Sequence, residues 1–141
     1  MAKDLKAIVR LHKYIVDEKR RDLGALLGEV LDLEHRAKNL EVEIVSEQNA
    51  AQQSPEEAGY LYGPYAAEAI ARRQQIMDAT VEFEEKIAVA QEEMREEFKE
   101  LKVFEIAKEA RDEIEDAERA RDEQLVLDEL GQERHRRQNK L

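Results

Sequence analysis

A heptad repeat of apolar residues runs through the first third of the chain and constrains the fold more than any other feature. From Leu5 these positions recur in alternating steps of four and three residues. They are Leu5, Val9, His12, Val16, Lys19, Leu23, Leu26, Val30, Leu33, Ala37, Leu40 and Ile44, and only His12 and Lys19 are polar. Such a repeat is typical of a helix that packs along its length against another helix. It predicts a helix over about residues 2–50.

A second repeat follows later in the chain. It comprises Ile76, Thr80, Phe83, Ile87, Ala90 and Met94. Beyond Met94 the apolar residues follow less strictly, and Val103, Ile114 and Leu125 are spaced by eleven residues. An eleven-residue period is typical of a straight or slightly right-handed seam, so this repeat is expected to drift. Because residues 65–130 contain no Gly or Pro, the second predicted helix covers about residues 65–138.

Between the two repeats lies "SPEEAGYLYGPYAAEAI", residues 54–70, which contains both prolines and three of the four tyrosines. Ser54 followed by Pro55 has the pattern of a helix N-cap and first helical position, and Gly59 would end that turn. The residue before a proline avoids the α region, which predicts non-helical Tyr62 and Gly63. The sequence therefore predicts a chain reversal over about residues 51–64.

Neither amphipathic helix can bury its apolar stripe alone, and folding back supplies the partner. The expected fold is all-α: one domain, 1–141, forming an antiparallel two-helix coiled-coil hairpin whose second helix is longer than the first. Placing Ile44 opposite Ile76 would bring Leu5 near Glu115 and leave about 25 residues as an overhang. The overhang has four large apolar residues with no partner inside the chain: Leu125, Val126, Leu127 and Leu130.

Composition narrows the classes of function. Hydrophobic residues make up 42% and charged residues 40% of the chain, and their periodicity argues against disorder. The lack of cysteine suits a reducing compartment, and the charged start matches neither a secretory signal nor a membrane span. We expect a cytoplasmic protein.

Because a two-helix hairpin does not enclose a desolvated site, we expect no enzyme, no catalytic residues and no cofactor. Asp32 and His35 have metal-ligand spacing, but a carboxylate-bridged site needs four helices, so no metal is expected.

Charge is unevenly distributed along the chain. The net charge is -11, yet residues 1–21 carry +4 and residues 133–141 carry +3, which leaves -18 on residues 22–132. This acidic balance argues against nucleic-acid binding. The terminal "RHRR" is interpreted as a solvated helix end that complements the helix dipole, with anion binding as the alternative.

Two features leave alternatives open. Gly24 and Gly28 form a G-x-x-x-G pattern, which either permits close approach of a neighbouring helix or has no special role. Tyr60, Tyr62 and Tyr65 crowd the bend, where they either pack the tip or present a docking surface, since exposed aromatic residues carry much of the energy of protein interfaces.

The pattern as a whole resembles the FliJ family, the small coiled-coil component of the bacterial flagellar protein-export apparatus. The resemblance rests on the basic amphipathic start, "LLGEVLDLE", the bend after about fifty residues, "FKELKVFE" (98–105) and "RARDEQLVLDEL" (119–130). It implies a non-enzymatic stalk protein similar to the shaft of rotary ATPases, acting in flagellum biogenesis and motility at the cytoplasmic face of the inner membrane.

The resemblance also implies partners. These are the hexameric flagellar export ATPase, the cytoplasmic domain of the export-gate protein FlhA, and export chaperones. We expect the paired helix ends to form a basic tip that enters the ATPase ring, with the contact residues Lys19, Arg20, Arg21, Arg134, Arg136 and Arg137. The family's gate-docking region corresponds to Ile44, Gln48, Tyr62, Tyr65 and Ile76. A virulence-type secretion stalk, a rotary ATPase shaft and a generic acidic coiled-coil scaffold are the alternative functions.

Overall fold

A computed structural model describes residues 2–57 and 59–140, with side chains from Asp4 onward. It contains two helices, α1 (Ala2–Gln53) and α2 (Gly59–Asn139). They pack together as an antiparallel hairpin in which the second helix is the longer one. The predicted fold class is confirmed.

The connection between the helices is a single short turn. The Ser54 carbonyl accepts hydrogen bonds from the backbone N–H groups of Glu57, at 3.2 Å, and Gly59, at 3.4 Å. Helix α1 ends just before it, where the Ser54 N–H donates to the Ala50 carbonyl at 3.1 Å. The turn at Ser54 and Pro55 is confirmed, but the reversal is much shorter than the predicted 51–64.

The prediction that Tyr62 and Gly63 are non-helical is wrong. Pro64 lies inside α2, in its second turn. Its ring removes only the backbone hydrogen bond to the Tyr60 carbonyl, and the disruption falls next to the helix start, where backbone groups already lack helical partners. The α-helical preference of the residues that follow outweighs this local cost.

The chain divides into two compact units, each containing a segment of both helices. Unit 2, Val16–Glu96, holds the turn and the helix segments on either side of it. Val16, Leu33 and Leu40 from α1 are buried there, and Ala69 from α2 is 2% exposed. Ion pairs flank this seam: Arg73 Nη2 lies 2.6 Å from Glu41 Oε1. Because its interhelical pairs are surface pairs, they contribute less to stability than the apolar seam does.

Unit 1 combines residues 1–15 with residues 97–141. Of its described residues, Val9 and Leu101 are buried. The last position of α2 that is not exposed is Glu115, and every described residue from Asp116 to Lys140 is exposed. The predicted overhang is therefore present, and it is helical as far as Asn139.

The seam of α1 follows the predicted heptad. All twelve predicted positions from Leu5 to Ile44 are buried or half-buried, including the polar His12 and Lys19. From Asp4 onward, the other positions of α1 that are not exposed are Ile8, Ile15 and Ala51. Ile8 and Ile15 adjoin the seam and widen its apolar face.

The seam of α2 does not drift, in contrast to the prediction. A run of buried or half-buried positions continues in steps of three and four to Glu115: Met94, Glu97, Leu101, Phe104, Lys108, Arg111 and Glu115. Glu105 and Asp112 beside this run are also half-buried. By contrast, Val103, Ile106 and Ile114 are 60–64% exposed. The heptad continues through polar residues, whose aliphatic stems can cover apolar surface. The prediction from the sequence traced only apolar residues, so beyond Met94 it no longer followed the positions that face α1.

The register of the hairpin also differs from the prediction. In unit 2, Lys19 Nζ lies 3.1 Å from Glu93 Oε2, and Ile76 lines the same groove as Leu40. In unit 1, His12 Nδ1 lies 3.4 Å from Glu97 Oε2, whereas the predicted pairing would set His12 near residue 108. The pairing at these contacts is displaced by roughly one to three turns, and α2 begins at Gly59, earlier than expected.

Candidate binding surfaces

The tyrosines at the bend divide into a packed pair and an exposed residue. The ring centroids of Tyr62 and Tyr65 lie 6.3 Å apart at an interplanar angle of 41°, and both residues are half-buried. Tyr60 is 85% exposed, and the neighbouring Leu61 is 65% exposed. Two tyrosines thus pack the tip, while Tyr60, one of the three tyrosines considered for docking, is accessible together with Leu61, which the sequence reading did not name.

The hydroxyl of Tyr65 occupies an unusual position. Its oxygen is shielded from solvent and lies beside the carboxylate of Glu43. Loss of solvent raises the pKa of Tyr65 above its ordinary value, and the negative charge of Glu43 raises it further, while the positive charge of Arg72 opposes them. Arg72 itself contacts Glu43 at 3.1 Å. The neutral form of the hydroxyl is therefore favoured over the phenolate within this charged cluster.

The gate-docking residues predicted from the family resemblance are only partly accessible. Ile44 and Ile76 are half-buried seam residues, whereas Gln48 is fully on the surface. Tyr62 and Tyr65 are half-buried. All five residues belong to unit 2. A heptad continued backward from Ile76 would have placed residues 62 and 69 in the seam and left Tyr60 and Leu61 outside it.

The basic start of α1 faces acidic residues of α2. In unit 1, Lys6, Arg10 and Lys13 line a groove whose other wall includes five acidic residues: Glu105, Glu109, Asp112, Glu113 and Asp116. Lys3, another basic residue of this segment, lies outside the described side chains. The basic charge of the α1 start is thus partly balanced within the hairpin.

The expected basic tip made by both helix ends is not formed. Asp116 lines the groove beside Lys6, and the 18 residues of helix from there to Arg134 span about 27 Å. Helix α1 has only four residues before Lys6, too few to reach Arg134. The polar residues of the longer overhang carry α2 beyond the start of α1, so the two basic segments lie apart.

The predicted ring-contact residues have different surroundings. In unit 2, Lys19 is half-buried in the seam beside Glu93, whereas Arg20 and Arg21 are exposed. In unit 1, Arg134, Arg136 and Arg137 are exposed in the last turns of α2. Arg137 donates a hydrogen bond to Glu133 Oε1 at 2.9 Å.

The overhang contains four exposed large apolar residues within six positions of the sequence. Leu125, Val126, Leu127 and Leu130 are 55–61% exposed. They lie between an acidic stretch, 112–123, and the basic end, 133–140. Among the described residues, no stretch of either helix is apolar and long enough to span a membrane.

A polar cluster interrupts the seam of unit 1. His12 Nδ1 lies 3.4 Å from Glu97 Oε2 and 3.8 Å from Glu100 Oε2. The imidazole stacks on Phe104, with ring centroids 4.9 Å apart and an interplanar angle of 20°. The sequence identified His12 as a polar seam position but not its partners, because those depend on the register.

By comparison with known proteins, no family model matches this chain, and no curated protein or solved structure matches it significantly.

Proposed function

We propose that this protein is a non-enzymatic stalk and coupling component of the bacterial flagellar type III export ATPase complex. The observation that carries the proposal is the exposed overhang of α2, residues 116–139, which continues as a single helix beyond the segment paired with α1. The resemblance of residues 98–105 and 119–130 to the FliJ family supports it. Its site of action would be the cytoplasmic face of the inner membrane, reached through partners.

The overhang has the properties of a segment that binds a partner. An isolated amphipathic helix is marginally stable in water because it cannot bury its apolar residues. Within two turns, the overhang has four large apolar side chains that are more than half exposed to solvent. Burying them against a surrounding protein surface would be favourable. In this proposal the overhang, rather than a pair of helix ends, enters the ATPase ring.

Charge supports the same direction of insertion. Arg134, Arg136 and Arg137 lie exposed at the leading end of the overhang, and exposed basic residues favour an electronegative ring lumen and accelerate association. Arg20 and Arg21, also exposed, form the second proposed contact. Lys19 contributes less because it is already paired with Glu93.

The experiment measures binding and stimulation of a purified flagellar export ATPase. Leu125→Ser with Leu127→Ser should abolish both, and Arg134→Glu with Arg136→Glu should weaken both in low salt. The matched control is Val103→Ser, an exposed apolar residue of the same helix outside the overhang. Circular dichroism checks that the variants remain helical. Wild-type protein that neither binds nor stimulates the ATPase would overturn the proposal.

Docking to the export gate is the second part of the proposed function. The accessible apolar residues near the bend are Tyr60 and Leu61, beside the packed pair Tyr62 and Tyr65. We expect Tyr60→Ser with Leu61→Ser to reduce binding to the FlhA cytoplasmic domain while helicity is retained. Tyr62→Ala with Tyr65→Ala should reduce binding together with helicity, since those rings also pack the tip. Unchanged binding in both variants would exclude the bend as the docking surface. Export chaperones are further proposed partners.

Two alternative functions, a virulence-type secretion stalk and a rotary ATPase shaft, would use the same features and differ in the ATPase that is bound.

A third alternative, an acidic coiled-coil scaffold, is favoured by a different observation. The overhang places an acidic stretch before its apolar cluster and basic residues after it, so two antiparallel overhangs would set Arg134 of one copy near Glu118 of another. Light scattering distinguishes the candidates: a stable dimer with no ATPase binding favours the scaffold, and a monomer excludes it.

A further inference from the structure

The cluster of His12, Glu97 and Glu100 brings three metal-ligating side chains from two helices together in unit 1. One ligand atom from each residue lies within 4.8 Å of the others. The His12 side chain is 15% exposed, that of Glu97 25% and that of Glu100 60%. The cluster is therefore shielded at the imidazole and open to solvent at Glu100.

The contacts of His12 do not amount to a good hydrogen bond. N–H···O bonds in proteins are usually 2.7–3.2 Å long, whereas the nearest carboxylate oxygen is 3.4 Å from Nδ1. His12 occupies a seam position between the buried Val9 and Val16 of the heptad, where an apolar residue would pack better. Stacking on Phe104 holds the ring in place.

The two separations from His12 Nδ1 are close to the spacing of ligand atoms around a tetrahedral zinc ion, and the carboxylate oxygens of Glu97 and Glu100 lie within 4.8 Å of each other. With Zn–N and Zn–O bonds of about 2.0–2.2 Å, neighbouring ligand atoms lie roughly 3.3–3.6 Å apart. The distances from Nδ1 to the two carboxylates, 3.4 and 3.8 Å, are close to this value. One imidazole with two carboxylates is a donor set that zinc accepts, and the open side leaves a fourth position for water.

The geometry points to a divalent zinc site formed by His12, Glu97 and Glu100 that clamps α1 to α2. The ion would be bound by one residue of the first helix and two of the second, so binding requires the folded hairpin. Metal that binds only the folded state stabilises it. The site would also fix the register of unit 1, because a slip of the two helices separates His12 from both carboxylates.

The inference is tested with Zn²⁺ alone on the full chain. Isothermal titration should give one site per chain, and Zn²⁺ should raise the melting temperature. His12→Leu should fold at least as well without metal, because it restores an apolar seam residue, and should lose the response to Zn²⁺. Glu97→Gln should weaken Zn²⁺ binding at least about tenfold, as loss of a metal ligand does.

His35→Ala and His135→Ala are the matched controls, since both histidines are exposed and lie outside the cluster. Each should keep the wild-type affinity and the thermal shift. Co²⁺ provides a spectroscopic check: tetrahedral absorption bands should appear in the wild type and be absent in His12→Leu. Wild-type protein without a Zn²⁺ response, or a response that persists in His12→Leu, would overturn the inference. Neither result depends on ATPase binding.

Discussion

The seam of α2 beyond Met94 provides the sharpest test of the packing, through Leu101→Ala. Leu101 is 6% exposed, so the substitution removes three buried carbon atoms at about 0.8 kcal/mol each. Such a change costs roughly 2–5 kcal/mol in protein cores. A seam between two helices has solvent on both sides and can close partly around the gap, which favours the lower end. We expect the free energy of unfolding to fall by about 2–3 kcal/mol.

Ile106→Ala is the matched control, five residues further along the same helix. Ile106 is 64% exposed, and alanine has the higher helix propensity, so its free energy of unfolding should change by less than about 0.5 kcal/mol. Both variants are measured by urea unfolding followed by far-UV circular dichroism, with a shared denaturant slope. An equal decrease in the free energy of unfolding for both variants, or a larger decrease for Ile106→Ala, would refute the continuous heptad. It would favour the drifting seam that the apolar residues predicted.

Three further predictions concern other parts of the hairpin. Because the pKa of Tyr65 is raised in the folded state, its contribution to stability is present below pH 10.0 and is lost as the pH rises through the folded pKa. Tyr65→Phe should therefore flatten the alkaline fall in melting temperature, and an unchanged fall would contradict this. Gly28→Ala should raise the free energy of unfolding by about 1 kcal/mol, measured by urea unfolding, because an added Cβ meets nothing within 4 Å; destabilisation would disprove it. A double-mutant cycle on Arg73 and Glu41, 2.6 Å apart but about half exposed, should give a coupling energy of roughly 0.2–1 kcal/mol that falls in high salt, and a value above about 2 kcal/mol would contradict surface screening.

The structure bears on whether the G-x-x-x-G pattern permits close approach of a neighbouring helix or has no special role. Gly24 and Gly28 have no atom of this chain near the place where a Cβ would stand. Close packing of the hairpin therefore does not require glycine at either position. The flanking Leu27 and Leu31 are 46% and 58% exposed, so this face of α1 also lies away from the seam.

The sequence alone determined the all-α hairpin, the seam of α1, the turn at Ser54 and the uncovered overhang. These features follow from local preferences and from a periodicity that every helical turn repeats, so they can be read without knowing the partner. The strict heptad from Leu5 to Ile44 left one face to bury, and only a second helix could cover it.

The tertiary structure decided the register, the start of α2 and the residues that cover the seam beyond Met94. Register depends on where the turn closes, and a helix start only a few residues earlier moved each interhelical contact. Burial in a two-helix seam is set by angular position rather than by residue type, so Glu97 and Arg111 are partly covered while Val103 and Ile106 face solvent. The contact of His12 with Glu97 arises only from that register, because two residues 85 positions apart in the chain meet through packing and not through any local pattern.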